Sequence, residues 1–215
     1  MFVRQWMNTK VVTVTAETTI EAAREMLAGH KIRRLPVVDE DTVTGIISPR
    51  DLEKVLPSIL DAEGASEEEY LSAHTTVKAV MTPSPVTVQP DDTLVEAIRK
   101  MRKHKIDGLP VVEGMKLVGI LSITDVLDAF IAMMTGGQSG VRFDLSLDNG
   151  PESFYKMMKV FQKQQKEILG ICQHYGYSND HHLVTLQIKE GENEELIDQL
   201  WQTGVVKIER VGPQR

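Results

Sequence analysis

Gly119-Ile120-Leu121-Ser122-Ile123-Thr124-Asp125 is written twice in this chain of 215 residues. The earlier copy reads Gly45-Ile46-Ile47-Ser48-Pro49-Arg50-Asp51, 74 positions upstream (119 − 45). The same offset aligns Met7–Leu52 with Met81–Val126 without a gap. Val12-Thr13-Val14 falls on Val86-Thr87-Val88, His30-Lys31-Ile32 on His104-Lys105-Ile106, and Leu35-Pro36-Val37-Val38 on Leu109-Pro110-Val111-Val112. An ungapped match of this length is a repeated supersecondary unit, and such units bury their apolar faces against a neighbour.

Within each copy the grammar is strand, helix, strand, strand, helix. Lys10–Thr15 is a β-branched run, read as a strand or extended segment. Thr18 with Glu21 is read as a capping box, and Ile20, Ala23 and Leu27 share one helical face. Leu35–Val38 and Val43–Ile47 form a hairpin around Asp39-Glu40-Asp41. The motif then passes from strand to helix, with glycine expected to serve a tight turn there. Between the copies, Ser66 with Glu69 is a further expected helix start, and Glu67-Glu68-Glu69 a solvated face. After Asp125, Val126–Met134 reads as an apolar helix, and Thr135–Gly140 reads by composition as a linker. The remainder alternates differently: a strand near Val141–Leu147, a helix from Pro151 carrying Phe154, Met157, Met158 and Phe161, and strands at Ile168–His174 and Leu183–Lys189. A helix with Leu196, Ile197, Leu200 and Trp201, ended by Gly204, and a strand at Val205–Val211 complete a ferredoxin-like β-α-β-β-α-β unit. The expected boundaries are 1–74 and 75–134 for the two repeats, 135–140 for the linker and 141–215 for the last domain.

The totals narrow the function. A net charge of −7 argues against a nucleic-acid partner. No apolar run reaches the roughly 18 residues that span a bilayer, the first residues lack a secretory apolar core, and one cysteine, Cys172, permits no internal disulfide. A cytoplasmic protein is expected. No metal-ligand spacing, nucleophile–base pair or Walker-type loop is present. His181 and His182 are neighbours on a strand and point to opposite faces. Cys172 reads as a buried inert thiol, the methionines as core fillers, and His30 and His104 as helix C-terminal residues.

The repeated motif itself can hold a ligand. A helix start offers N–H groups and a positive dipole end to an anion. A serine adds a hydroxyl, and a carboxylate three residues later can accept from a ribose diol. The same Ser-x-x-Asp is also an ordinary capping pair.

The two repeats resemble CBS domains. The resemblance rests on the Val-Thr-Val segment, the His-x-Ile-x-x-Leu-Pro-Val-Val block and the Gly-h-h-Ser-x-x-Asp ending, and covers the first two-thirds of the chain. It implies an α/β (α+β) tandem pair, the Bateman module, binding an adenosine-containing ligand in clefts between repeats: AMP, ADP, ATP or S-adenosylmethionine as regulatory ligand, with no catalytic cofactor. Carried over, the main cleft joins Ser122, Thr124 and Asp125 to Val12, Ile32, Arg33 and Arg34. Asp125 would hold ribose hydroxyls, Val12 and Ile32 flank the adenine, and the others face phosphate. The second cleft joins Ser48, Arg50 and Asp51 to Val86, Ile106, Asp107 and Gly108. It departs from the pattern through Pro49-Arg50, and Asp107 stands where the main cleft has Arg33, so it is expected to be the weaker. The last domain is similar to the ACT family, whose Pro-Gly after the first strand appears here as Asn149-Gly150-Pro151. The order of CBS pair then ACT-like domain resembles that of acetoin-utilisation proteins. The family implies a non-catalytic regulator, a homodimer through the CBS modules and a regulated partner. Two rivals stay open: a constitutive scaffold with vestigial clefts, and a nucleotide-hydrolysing enzyme.

Overall fold

A computed structural model describes residues 1–54, 74–175, 180–203 and 205–213. It divides into two compact units, Met1–Val126 and Leu127–Arg215. The expected capping pair Ser66–Glu69 and the helix stop at Gly204 lie outside the described residues.

The first unit carries α1 (Ile20–Gly29), β1 (Leu35–Asp39), β2 (Thr42–Ile47), α2 (Pro49–Glu53), β3 (Thr82–Pro83), α3 (Leu94–His104), β4 (Gly108–Glu113) and β5 (Lys116–Ser122). α4 (Ile123–Thr135) starts in this unit. The sheet runs β1-β2-β5-β4, all antiparallel, and β3 pairs with β2. The two hairpins touch at Thr42↔Lys116. These residues are 74 apart, so the repeat's pseudo-twofold axis passes between them.

The pseudo-symmetry extends into the core. One cluster buries Val14, Ile20, Ala23, Leu27, Leu35, Val37, Ile47, Leu52 and Val77. Each has a buried counterpart 74 positions away: Val88, Leu94, Ala97, Met101, Leu109, Val111, Leu121, Val126 and Val3. The last pair runs backwards along the chain, because each repeat lends its leading segment to the other. Val77 donates its N–H to Thr18 O (2.8 Å) and Ile20 to Thr75 O (3.0 Å). In the other copy Val3 donates to Asp92 O (2.9 Å) and Leu94 to Met1 O (3.1 Å). Two short 3-10 turns, Val3–Gln5 and Val77–Ala79, thus seal the helix start of the opposite repeat.

Three local expectations are corrected. Lys10–Thr15 is not a strand; it makes one parallel bridge, Val14↔Val37, matched by Val88↔Val111. Here Val14 N–H donates to Pro36 O, while Pro36 itself has no N–H to extend the ladder. The N-cap of α1 is Thr19, whose side chain accepts from Ala22 N at 3.2 Å. Thr18 cannot serve, because its carbonyl is already taken by the lent segment. Finally, Gly45 and Gly119 are mid-strand and outside the positive-φ region, so no turn needs them. A Cβ on Gly119 would meet Met7 Sδ at 2.7 Å and Asn8 O at 3.2 Å. On Gly45 it would meet Met81 Sδ at 2.5 Å and Thr82 O at 3.3 Å. Glycine is required there because the opposite repeat's leading segment crosses the strand.

The second unit contains β6 (Val141–Asp148), α5 (Pro151–Lys163), β7 (Ile168–His174), β8 (His181–Ile188), α6 (Glu194–Trp201) and β9 (Val205–Pro213). Its antiparallel sheet runs β7-β8-β6-β9, the ferredoxin-like order. Phe143, Leu145, Leu147, Met157, Phe161, Leu186, Ile188 and Leu200 form its core, and Phe143 and Phe161 meet edge to face at 6.0 Å. Trp201, the last residue of α6, is 51% exposed. One sequence expectation differs. Strand β6 is closed on both faces, not half-buried: Asp144 and Ser146 are also buried. Asp144 compensates for its burial by accepting from Thr185 Oγ1 (2.6 Å) and pairing with Arg142 (3.0 Å).

Candidate functional site

A cavity of about 340 Å³ opens between the repeats of the first unit, near the lower end of the range of small-molecule sites. Four chain segments build it. The leading segment of repeat one supplies Asn8, Lys10, Val11 and Val12, and the turn after α1 supplies Lys31–Arg34. The turn after α3 supplies Asp107 and Gly108, and the β5–α4 junction supplies Ile120 and Ser122–Asp125. All seven residues assigned to the main cleft (Val12, Ile32, Arg33, Arg34, Ser122, Thr124 and Asp125) therefore line one cavity, although they lie up to 113 positions apart (125 − 12).

The β5–α4 junction is capped, as its spacing also predicted. Asp125 Oδ2 accepts from Ser122 N–H (2.7 Å) and Ser122 Oγ–H (2.6 Å). Asp125 N–H donates back to Ser122 Oγ at 3.3 Å. Ile123 N–H donates to Asp107 O at 2.8 Å. Of the first three amides of α4, that leaves Thr124 N–H for a ligand among the described residues, fewer than the bare helix start suggested. Capping consumes only one oxygen of Asp125. Oδ1 accepts no hydrogen bond among the described residues, so it can receive hydroxyls.

The earlier copy differs at this same atom. Ser48 N–H and Oγ–H donate to Asp51 Oδ2 at 3.0 and 2.6 Å. Asp51 Oδ1, however, is held by Lys54 Nζ at 2.8 Å. Burial pushes this carboxyl up, but Lys54 and Ser48 together hold it below the usual carboxylate value. The position 74 beyond Lys54 is Asp128, so no cation closes over Asp125 in this way. Of the second cleft's other residues, Arg50 is exposed, and Val86 and Ile106 are half-buried.

Asp107 and Gly108, assigned from sequence to that second cleft, line the first cavity. Asp107 Oδ1 accepts from Arg34 Nε at 2.7 Å and pairs with Nη2. The stem of Arg34 lies over Gly108, where a Cβ would meet Arg34 Cγ at 3.5 Å. Burial holds the Arg34 guanidinium below its ordinary value, and the field of Asp51 opposes that shift. One arginine thus stands in the first cavity and feels the carboxylate of the second motif. Sequence reading placed Asp107 as a repulsive group; its Arg34 partner, 73 residues away, removes that charge.

Lys10, Lys31, Asn8 and Val11 were missed. Lys31 ends α1 in the left-handed region (φ 54°), as Lys105 ends α3 (φ 55°). Their recurrence marked a helix end and carried no sign of a ligand. Lys10 has Ser84 as its counterpart and so fell outside the repeated pattern.

The family model for the CBS domain matches residues 3–58 and 77–132, so it takes in both lent segments. A CBS domain-containing protein of Dictyostelium discoideum is 34% identical over 137 residues, covering 62% of this chain and 94% of that protein. Inosine-5'-monophosphate dehydrogenase of Korarchaeum cryptofilum is 36% identical over 117 residues, 54% of this chain but 21% of the enzyme, so the likeness spans about a fifth of its length. Among solved structures, the CBS domain pair of protein MJ0100, in complex with 5'-methylthioadenosine and S-adenosyl-L-methionine, superposes with a TM-score of 0.52. It has 27% identity and covers 61% of this chain and 97% of that one. CBSX2 of Arabidopsis thaliana, in complex with AMP, gives 0.50 at 29% identity over 60% and 96%. A putative acetoin utilization protein (AcuB) of Vibrio cholerae gives 0.52 at 30% over 61% and 90%.

Proposed function

Because this chain belongs to the CBS-domain family, we propose that its first unit is a regulatory sensor that binds an adenosine-containing ligand in the cavity between the repeats. The observation that carries this reading is the convergence of Val12, Ile32, Arg33, Arg34, Ser122, Thr124 and Asp125 on one wall-to-wall site. Val12 and Ile32 offer apolar faces to the base. Asp125 Oδ1 accepts from the ribose diol, and Ser122, Thr124 and the cations face the phosphate end. CBS pairs of related proteins hold AMP, 5'-methylthioadenosine and S-adenosylmethionine, which share the adenosine moiety. The second motif is the weaker site, since Lys54 already neutralises Asp51 Oδ1.

The second unit supports an ACT-like role, receiving or transmitting a second signal, through its ferredoxin-like strand order. Its placement after a CBS pair, and the likeness of that pair to an AcuB structure, support a regulatory role in acetoin utilisation by a cytoplasmic homodimer. Ligand binding regulates a partner only if the two arrangements of the protein differ in affinity for the ligand.

The test is thermal shift of the purified chain with adenosine, AMP, ADP, ATP and S-adenosylmethionine, repeated on Asp125→Ala. A ligand that binds only the folded state raises the melting temperature at saturation. The expected result is a shift with an adenosine compound that Asp125→Ala loses. An equal shift in the variant removes Asp125 from the site; no shift with any compound favours a constitutive scaffold.

A further inference from the structure

The cavity's charge is out of keeping with the chain. Lys10, Lys31, Arg33 and Arg34 line it against two carboxylates, Asp107 and Asp125. Four cations less two anions leave +2, on a protein of net charge −7. Arg34 and Asp107 neutralise one another, and Asp125 lies half-buried beside Ser122. The remaining cations, Lys10, Lys31 and Arg33, are all exposed. Val12 and Ile32 are half-buried. The site is therefore graded: an apolar and diol-accepting interior, then a cationic rim.

The second copy is an internal control. Residues 74 positions beyond Lys10, Lys31, Arg33 and Arg34 are Ser84, Lys105, Asp107 and Gly108. The motif of serine and aspartate is kept, and the hairpin is kept, but four cations become one cation and one anion. The rim is thus a property of one cleft and is not imposed by the fold.

We infer that this cavity selects an adenosine nucleotide with two or more phosphates, its chain of phosphates lying along Lys10, Lys31 and Arg33. This inference rests on the adenosine reading above and adds the ligand's charge class. A monophosphate reaches the junction of interior and rim and leaves the outer cations in water. S-adenosylmethionine places a positive sulfonium where a nucleotide has its 5′ ester oxygen and, with its ammonium and carboxylate, is a net cation, so the rim disfavours it. 5'-Methylthioadenosine, being uncharged, gains nothing from the rim. Because the three cations are exposed, salt screens their attraction for phosphate.

The experiment is calorimetric titration of the full chain with adenosine, AMP, ADP, ATP and S-adenosylmethionine, without divalent cation, at low and high salt. Wild type is compared with Lys10→Gln, Lys31→Gln and the double variant, each first checked for wild-type circular dichroism. Affinity is expected to rise from adenosine through AMP to ATP, and to fall with salt most steeply for ATP. Each single variant is expected to weaken ATP by about two- to fivefold, the upper part of the range for charge pairs at exposed positions. Adenosine, which carries no phosphate, is expected to lose less affinity than ATP. Equal affinity for AMP and ATP in the wild type, tightest binding of S-adenosylmethionine, or an undiminished ATP preference in the double variant overturns the inference and leaves the adenosine reading standing. Binding of no adenosine compound at all overturns that reading and the inference with it.

Discussion

Replacing Gly119 by alanine tests the exchange of leading segments directly. The added Cβ lies 2.7 Å from Met7 Sδ, 3.1 Å from Met7 Cγ and 3.2 Å from Asn8 O. The thioether is flexible and can swing away. The Asn8 carbonyl cannot, because Asn8 and Ile120 exchange two hydrogen bonds of 2.9 Å each. Overpacking of this kind costs roughly 1–3 kcal/mol. Alanine in a strand recovers about 0.5–1 kcal/mol relative to glycine, so a net loss of about 1–2 kcal/mol is expected. Gly45→Ala should lose a similar amount, since the fixed carbonyl there, Thr82 O, stands at 3.3 Å. The assay is urea unfolding followed by Trp6 fluorescence in a Trp201→Phe background, so that only the first unit reports. The decisive measurement is a double-mutant cycle with Met7→Ala. If the crossing segment is the cause, shortening Met7 removes the thioether part of the clash and leaves the Asn8 contact, so the pair couples favourably by about 0.5 kcal/mol. A turn requirement for glycine predicts the same loss in Gly119→Ala but no coupling to Met7. Zero coupling, or no loss at all, refutes the reasoning.

Three further outcomes are expected. Lys54→Met should raise the titration of the Asp51 carboxyl, followed by carbon NMR. Its depressed folded value contributes stability present above about pH 3.9 and lost as pH falls through that value, so acid unfolding moves to higher pH in the variant; an unmoved titration removes Lys54 from this role. His182, 1% exposed and stacked on Tyr175 at 4.7 Å, is held below the ordinary histidine value by burial, with the Asp148 backbone opposing. Here the unfolded chain takes up the proton more readily, so stability present above about pH 6.5 is lost as pH falls below it. His182→Phe should flatten that decline between pH 7 and 5 in the second unit, with the neighbouring His181–Asp148 pair left in place; an identical slope in the variant refutes it. Thr93→Ala should cost about 1 kcal/mol by urea unfolding, because the Thr93–Glu96 box is reciprocal. Thr19→Ala should cost less, since Ala22 stands where the box has Glu96; equal losses would show that the reciprocal bond adds nothing.

How far the sequence reached depends on the range of each interaction. The 74-residue offset exposed the repeat, and with it both hairpins, both long helices and the apolar positions within the aligned stretch that recur as paired core residues, Val3 and Val77 excepted. These follow from periodicity, which is local: a residue's face is set by its neighbours three or four positions away on a helix or two on a strand. The Ser-x-x-Asp capping pairs were legible for the same reason; the residues assigned to the main cavity came instead from the resemblance to CBS domains. The strand order of the second unit followed from a familiar succession of elements.

Tertiary structure decided what depends on chain crossings. Val3 and Val77 seal the opposite repeat, and the glycines of the motif answer to methionines 112 positions before and 36 after (119 − 7; 81 − 45). Arg34 cancels Asp107 across 73 residues and so removes the charge expected there. Lys54 closes one carboxylate while its counterpart stays open, and Lys10 and Lys31 complete a rim that neither one announces alone. A charge or a van der Waals contact acts through space, over a few ångströms, and its partner is chosen by how the backbone returns rather than by what precedes it in the chain. The sequence therefore determined two related clefts and, through Pro49-Arg50 and Asp107, a difference between them, while the folded arrangement of side chains decided which contacts carry that difference.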